Sequence, residues 1–192
     1  MGEKGVSKST DLQRLGEEVW SKVDKINADL FSLTYGAFVC QMLKDLDSVS
    51  ELNTQLEKMG YNIGIRLVDD FFASSSISRC PSLRDTAEII AKVAFKSFLG
   101  VTAIVSSFDE KKSEFVLQYE ENPLTNYVEL PEEYKDNMWY ANILCGVIRG
   151  ALEMIQMVVE CSFIKDTLRG DEVTEIQVKL IEIIKEDLPS DE

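Results

Sequence analysis

The sequence predicts an α+β fold in which helices pack on one side of a four-stranded antiparallel sheet. The first observation is the order of the patterns, which runs helical, strand-like, helical and strand-like again along the chain. The second is that each strand-like region holds two segments joined by a short polar turn, which makes the two strands antiparallel. The third is size, because 192 residues of which 45% are hydrophobic suffice for one domain with a substantial core.

Helices are predicted throughout the first half of the chain. Apolar residues there recur at intervals of three and four positions, the spacing of one face of an α-helix. Asn27 is a plausible N-cap, Gly100 is a natural stop, and Pro81 suits the first turn of the last of these helices. The predicted helices are a short amphipathic one at 12–23, followed by 27–46, 50–73 and 81–99.

Two glycines, Gly60 and Gly64, lie one turn apart inside the predicted helix at 50–73. Each costs a helix about 1 kcal/mol relative to alanine, so their expected use is the close approach of another backbone. We expect that backbone to belong to another subunit. Packing within the monomer and two merely tolerated glycines are the alternatives.

Two hairpins and a central helix are predicted for the second half. Residues that favour strands flank a polar turn twice, and the acidic, proline-bearing region between the hairpins is expected to be a surface loop. The long helix is apolar nearly all round, which indicates a central position. The predicted elements are strands at 101–108 and 113–119, the loop at 121–136, the helix at 137–158, and strands at 159–168 and 174–184.

Composition excludes several classes of function. The net charge is −14, which disfavours binding to nucleic acid or anionic lipid and favours basic protein surfaces as partners. The chain contains no histidine, so Ser-His and Cys-His nucleophiles are excluded and the commonest metal ligand is absent. Neither a secretory signal nor a long apolar run is recognisable, and we expect a cytosolic protein with reduced thiols.

Cys80 is the cysteine with the strongest local reasons for reactivity. It lies at a predicted helix N-terminus, where the helix dipole favours an anion, and Arg79 adds a positive charge beside it. The serine-rich flank favours exposure. The other three cysteines, Cys40, Cys145 and Cys161, fall in apolar helices or a strand and are interpreted as core residues.

Small residues mark one face of the helix that follows Cys80. Ala87, Ala91 and Ala94 are spaced to share this face. The commoner interpretation is tight packing against another helix. The alternative is a narrow apolar slot that would take up an acyl chain carried by the nearby thiolate.

Several motifs together resemble a known family. "LFSLTYGAFVCQ", "MGYNIGIRLVDDFFA", "WYANILCGVIRGALEMIQM" and "TLRGDEVTEIQVKL" are similar, in the same order and with similar spacing, to segments of the palmitoylated small subunits of TRAPP, the transport protein particle. The resemblance runs from about residue 12 to residue 188. It implies the TRAPP small-subunit fold over 12–188, a flexible N-terminal extension at 1–11 and an acidic tail at 189–192.

The resemblance also implies a function in assembly. TRAPP tethers vesicles between the endoplasmic reticulum and the Golgi, and its core promotes nucleotide exchange on a Rab-type GTPase. The chain is then a non-enzymatic core subunit that pairs through helices with other TRAPP small subunits or with itself. It would be cytoplasmic, and peripheral to cis-Golgi and endoplasmic reticulum membranes through the complex. No cofactor, metal or nucleic acid is expected.

The resemblance assigns roles to individual residues. Cys80 matches the cysteine that carries a thioester-linked palmitoyl group, and Arg79 matches the arginine before it. Ala94, and with it Ala91, is expected to line the acyl channel, although Pro81 and Ser82 depart from the residues that often follow the cysteine. Residues of the C-terminus would contact the GTPase near its nucleotide: Leu188, Pro189, Ser190, Asp191 and Glu192.

Two other functions compete with the assembly role. One is a true acyl transferase that uses Cys80, against which stands the missing histidine. The other is a module that binds free fatty acid without a covalent bond. A covalent thioester adds mass that hydroxylamine removes, whereas a free ligand leaves on denaturation, so intact mass separates this module from the acylated subunit.

Overall fold

The computed structural model describes residues 3–77 and 82–184, with side chains from residue 9 onward. The helices are α1 (Glu3–Lys22), α2 (Ala28–Asp45), α3 (Val49–Ser75), α4 (Leu83–Ile89), α5 (Phe95–Leu99), α6 (Glu132–Lys135) and α7 (Ile143–Met154), with a π-helical turn, Ile90–Ala94, between α4 and α5. The strands are β1 (Ile104–Asp109), β2 (Glu114–Tyr119), β3 (Met157–Lys165) and β4 (Thr174–Ile183). The predicted helix-hairpin-helix-hairpin order is confirmed.

α2 begins and α5 ends at the residues that the sequence indicated, Asn27 and Gly100. The Asn27 side chain accepts a hydrogen bond from the Leu30 backbone N–H, which confirms Asn27 as the N-cap of α2. Gly100 ends α5 in the left-handed conformation, with a φ of 74°, which confirms the predicted stop. α1 begins at Glu3, earlier than the predicted 12–23 helix, so the helix includes most of the segment expected to be a flexible N-terminal extension.

The sheet is four-stranded and antiparallel, in the order β1-β2-β4-β3. Residues alternate between its faces, and those that face the helices are buried. Phe115 and Leu117 of β2 lie opposite Val178 and Ile176 of β4 and are fully buried with them. The α+β fold predicted from the sequence is therefore confirmed.

The predicted 137–158 helix is wrong at both ends. Before α7, the side chain of Asn53 accepts a hydrogen bond from the Trp139 N–H, and Asn142 donates one to the backbone of Asn53. These bonds hold the chain in turns instead of a helix. After α7, Gln156 has a φ of 67°, and the chain becomes strand at Met157. Apolar composition alone does not separate a buried helix from a buried strand.

The predicted surface loop at 121–136 contains buried anchors. Leu124 and Leu130 belong to the main core, and Asn122 accepts a hydrogen bond from the Leu124 N–H to start a short 3₁₀ turn. The Ser32 hydroxyl of α2 donates to the carbonyl of Pro123. The loop therefore supports α2 as well as crossing the surface.

Glycines allow the backbones of α3 and α7 to touch. A Cβ on Gly60 would lie 1.9 Å from the Ile143 carbonyl oxygen, and one on Gly146 would lie 1.9 Å from the Glu57 carbonyl oxygen. Gly64 and Gly150 repeat the arrangement one turn later. We call these four glycines the glycine seam. The expectation that Gly60 and Gly64 pack against another subunit is wrong, because their surface is already occupied by α7 of the same chain.

Replacing Gly60 with leucine should destabilise the monomer itself. Its side chain has no space at the glycine seam, so the free energy of unfolding should fall by about 3 kcal/mol or more, the upper end for overpacked cores. Chemical denaturation measures the change. Ile63→Leu, on the half-exposed side of α3, is the control and should leave stability nearly unchanged. A Gly60→Leu protein that unfolds like wild type would contradict the assignment.

Candidate functional site

The predicted acyl attachment site, Arg79-Cys80, lies outside the described residues. The described chain resumes at Ser82, whose hydroxyl accepts a hydrogen bond from the Asp85 N–H at 3.1 Å and caps α4. Cys80 is thus two residues from the N-cap of a helix. The helix begins at Leu83, later than the predicted start at Pro81, so the expectation that Pro81 occupies its first turn is wrong.

The helix that follows is interrupted by a π-helical turn. In this turn the Phe95 N–H bonds to the carbonyl of Ile90, five residues back, instead of to that of Ala91. The freed Ala91 carbonyl accepts a hydrogen bond of 2.9 Å from the backbone N–H of Ala103, just before β1. No residue pattern in the sequence indicated this turn.

The two residues predicted to line an acyl channel, Ala91 and Ala94, pack against different apolar clusters. Ala91 is fully buried and belongs to the main core between the helices and the sheet. Ala94 is half-buried and packs against a second, smaller cluster formed by Val19, Phe71, Ile89 and Val93. The two alanines therefore lie on one helix but face two apolar clusters.

α1 covers part of this helix. Gly16 lies so close to the π turn that a Cβ would be 2.2 Å from the Lys92 carbonyl oxygen. Val19 fills the second cluster, and Glu17 forms an ion pair of 2.9 Å with Lys96. The ring of Trp20 packs on Gly100. The sequence predicted a helix here but not the surface on which it packs.

The three described cysteines differ from one another in exposure. Cys145 is buried, as predicted, and burial raises the pKa of its thiol. Cys161 is partly buried, and burial also raises the pKa of its thiol, with the charge of Glu57 as a further cause. Both thiols therefore favour the neutral form. The interpretation of Cys40 as a core residue is wrong, because it lies on the exposed side of α2.

α2 carries an apolar surface that the described chain leaves open. Its inner side is fixed by buried Ser32, Tyr35 and Val39, and the Tyr35 hydroxyl donates to the Tyr140 carbonyl at 2.6 Å. Leu30 and Leu33 on the outer side are 67% and 56% exposed. The outer face of α2 consists of Leu30, Phe31, Leu33, Ala37, Phe38 and Cys40.

Sequence reasoning found the helical spacing of these residues and assigned Cys40 to the core, although a signal for a second apolar side was available. α2 has apolar residues on two sides, and a helix with one buried side needs only one. Phe31 and Phe38 are also exposed, at 46% and 38%, so the open surface extends along most of the helix. Thr34 and Gln41 are exposed among these apolar residues, so the surface is mainly apolar. Exposed apolar side chains clustered on one side of a helix are typical of an interaction site.

The C-terminal residues predicted to contact a GTPase, 188–192, lie outside the described residues. β4 ends at Ile183, and the Ile184 N–H bonds to the Gln156 carbonyl at 2.9 Å. In the described ranges, no group of three or more acidic or cysteine residues is arranged to hold a metal ion. None of the described helices combines the length and hydropathy needed to span a bilayer.

Several known proteins are similar to this chain in sequence and in fold. Residues 31–179 match the family described as transport protein particle (TRAPP) component. Trafficking protein particle complex subunit 3 of Dictyostelium discoideum is 53% identical over 181 residues, 94% of this chain and 97% of that protein. Transport protein particle subunit bet3 of Schizosaccharomyces pombe is 53% identical over 176 residues, 92% of this chain and 96% of that protein.

A solved structure extends the comparison to three dimensions. The trafficking protein particle complex subunit 3 of Naegleria fowleri, crystallised covalently bound to palmitic acid, is 51% identical, with a TM-score of 0.81. The match covers 85% of this chain and all of that one. By sequence along most of its length and by fold, the chain belongs to the TRAPP component family.

Proposed function

We propose that the chain is a non-catalytic core subunit of a TRAPP complex that acts in vesicle transport between the endoplasmic reticulum and the Golgi. The observation that carries this proposal is the outer face of α2, which is mainly apolar and exposed. A surface of this kind suits a subunit that is buried on assembly. The complex would hold the protein at the cytoplasmic side of cis-Golgi and endoplasmic reticulum membranes and promote nucleotide exchange on a Rab-type GTPase.

The expected partner of this face is a helix of another TRAPP small subunit or of a second copy of the chain. Leu30 and Leu33 would bury their apolar area against it, and apolar area is the main source of association energy. Ala37 is small enough for a helix to approach closely there. Membrane lipid is a poorer partner, because the net charge of −14 is repelled by anionic headgroups.

Leu33→Glu should prevent assembly without destabilising the monomer. The side chain is more than half exposed, so the new carboxylate stays hydrated in the free chain but would be buried without a partner in the complex. Sedimentation and co-purification with other TRAPP subunits measure assembly. Thr54→Glu, an exposed position on α3, is the control. Assembly of the Leu33→Glu chain at wild-type strength would rule out this surface.

We also propose that Cys80 carries a palmitoyl group as a thioester, with Arg79 supporting the thiolate. The Cys80 thiol first loses its proton to water. The thiolate then attacks the carbonyl of acyl-coenzyme A, a new S–acyl bond forms as the bond to the coenzyme A sulfur breaks, and the released coenzyme A thiolate takes up a proton from water. Support comes from the N. fowleri relative, which is covalently bound to palmitic acid. Ala91 and Ala94, on the helix after Cys80, are proposed to line the space for the chain.

An internal site for the acyl chain is favoured over a membrane anchor. Removing about fifteen methylene and methyl groups from water contributes on the order of 10 kcal/mol, at ~0.8 kcal/mol per CH₂. A bilayer gives a similar gain, but one chain anchors a protein only marginally and reversibly. An internal slot needs no encounter with a membrane, so the chain would become part of the core.

Cys80→Ser should abolish the added acyl mass. Intact-mass spectrometry before and after hydroxylamine measures the thioester. Cys40→Ser is the matched control, because Cys40 is exposed but lacks a neighbouring arginine. It should retain full acylation. Acyl mass that persists in the Cys80→Ser protein would refute the assignment of the site.

The tail 188–192 is proposed to contact the GTPase near its bound nucleotide. The last seven residues hold four acids, and Pro189 restrains the backbone between them. Acidic groups would compete with the nucleotide phosphates for the lysine and Mg²⁺ that hold them. This competition would loosen the nucleotide and promote its exchange.

Deletion of 188–192 should leave assembly intact and slow nucleotide release. The effect should be largest at low salt, where charge attraction is least screened. Release of a fluorescent nucleotide from the GTPase by the assembled complex provides the measurement. Replacing Asp191 and Glu192 by Asn and Gln, which keeps the length, tests whether charge is responsible. Full-rate release by a complex that lacks the tail would exclude the mechanism.

A further inference from the structure

We infer that Gln41 and Asp45 of α2 select the partner that docks on the outer side of this helix. The partner they fit is a helix of another small subunit that places an arginine or lysine side chain against them. The inference rests on the docking of a helix on α2, proposed above. It adds the chemistry of the partner and the residues that distinguish it from a second copy of the chain.

Apolar and polar residues together form one exposed stripe on the outer side of α2. They follow one another at intervals of three and four positions, the spacing with which two helices pack side by side. The exposed residues of this stripe include Leu30, Leu33, Thr34, Ala37, Gln41 and Lys44. A helix that packs along the stripe therefore covers Gln41 together with the leucines.

The two uncharged polar residues of the stripe differ in how they tolerate burial. The Thr34 hydroxyl donates to the Leu30 carbonyl at 2.6 Å, a bond within the helix that a docked partner does not disturb. The Gln41 amide donates to the Asp45 carboxylate at 2.9 Å, which uses one of its N–H groups and none of its carbonyl oxygen. Covering this oxygen and the carboxylate is unfavourable unless the partner supplies donors. A polar group inside an apolar helix contact selects the partner in this way.

Asp45 indicates that the donor is a cation. It is the last residue of α2, where the helix dipole favours a positive charge, so local structure does not explain an acid there. A guanidinium or ammonium group carries several N–H donors and no acceptor, and it can bond to the Asp45 carboxylate and the Gln41 carbonyl oxygen together. The side chain of Lys44 points about 100° away around the helix from that of Asp45. The net charge of −14 also favours a basic partner surface.

A second copy of the chain does not supply this cation. Two copies of α2 that pair antiparallel about a two-fold axis place the C-terminal half of one helix against the N-terminal half of the other. Residues 28–36, the N-terminal half of α2, contain no arginine or lysine. A parallel pair instead places Lys44 against Lys44 and Asp45 against Asp45, and like charges repel. Neither arrangement places a base opposite Asp45, whereas a helix of different sequence can carry one there.

Asp45→Asn tests the inference, and Asp47→Asn is the matched control, because Asp47 is also an exposed acid but lies beyond the end of α2. Sedimentation measures two affinities for each full-length variant: for itself, and for each purified TRAPP small subunit of the same organism in turn. We expect Asp45→Asn to weaken binding to another subunit about tenfold at low salt, the loss of one charged hydrogen bond, and not to weaken self-association. The control should match the wild type in both affinities.

Gln41→Leu is the second variant, and it should shift the two affinities in opposite directions. It should weaken binding to the other subunit, and it should strengthen self-association because the amide no longer has to be buried against an apolar side chain. A merely structural role for Gln41 or Asp45 would weaken both associations alike. Wild-type affinity of Asp45→Asn for every other subunit, or an equal loss of both associations, would overturn the inference. Equal assembly of the wild type and Leu33→Glu would instead refute the proposed function.

Discussion

The glycine seam between α3 and α7 is the contact on which the rest of the structure depends. Because the two backbones touch, α7 is held against α3 on one side while Cys145 and Ile148 on its other side enter the core above the sheet. The four glycines restrict both helices to one relative position, since a side chain at any of them would meet backbone. The Glu57–Arg149 ion pair, at 3.3 Å, lies beside this contact but is half exposed and contributes little by comparison.

α2 is held in a different way, which leaves its outer side open in the described structure. Its inner side rests on a short 3₁₀ turn and on the Tyr140 carbonyl through Ser32 and Tyr35. No other element in residues 3–77 and 82–184 covers the outer face of α2, so this face is accessible in that part of the chain. An exposed apolar helix costs a soluble chain some colloidal stability, which the acidic charge of the protein offsets. The arrangement suits a subunit that is stable alone and becomes buried on assembly.

The sequence predicted well those features that arise from local interactions. Helix caps such as Asn27 and the turns of both hairpins depend on neighbouring residues, and the structure confirms them. Predictions failed where distant segments decide the outcome. Periodicity identifies the apolar sides of α2 but does not reveal which of them the rest of the chain covers, so Cys40 was wrongly assigned to the core. The Ala91 carbonyl in the π turn accepts a hydrogen bond from the Ala103 N–H of the segment before β1, and no local pattern indicates this contact.

The position of the π turn explains how an acyl chain would act as a structural component. The helix that contains it separates the main core from the second cluster, and α1 closes the second cluster through Val19 and Gly16. On the proposed function, a chain attached just before this helix would run along the boundary between the two. The helix itself contributes Phe95 to the main core and Val93 to the second cluster. On the proposed function, acylation would add apolar contact beside these side chains and stabilise the packing of α1 on the helix.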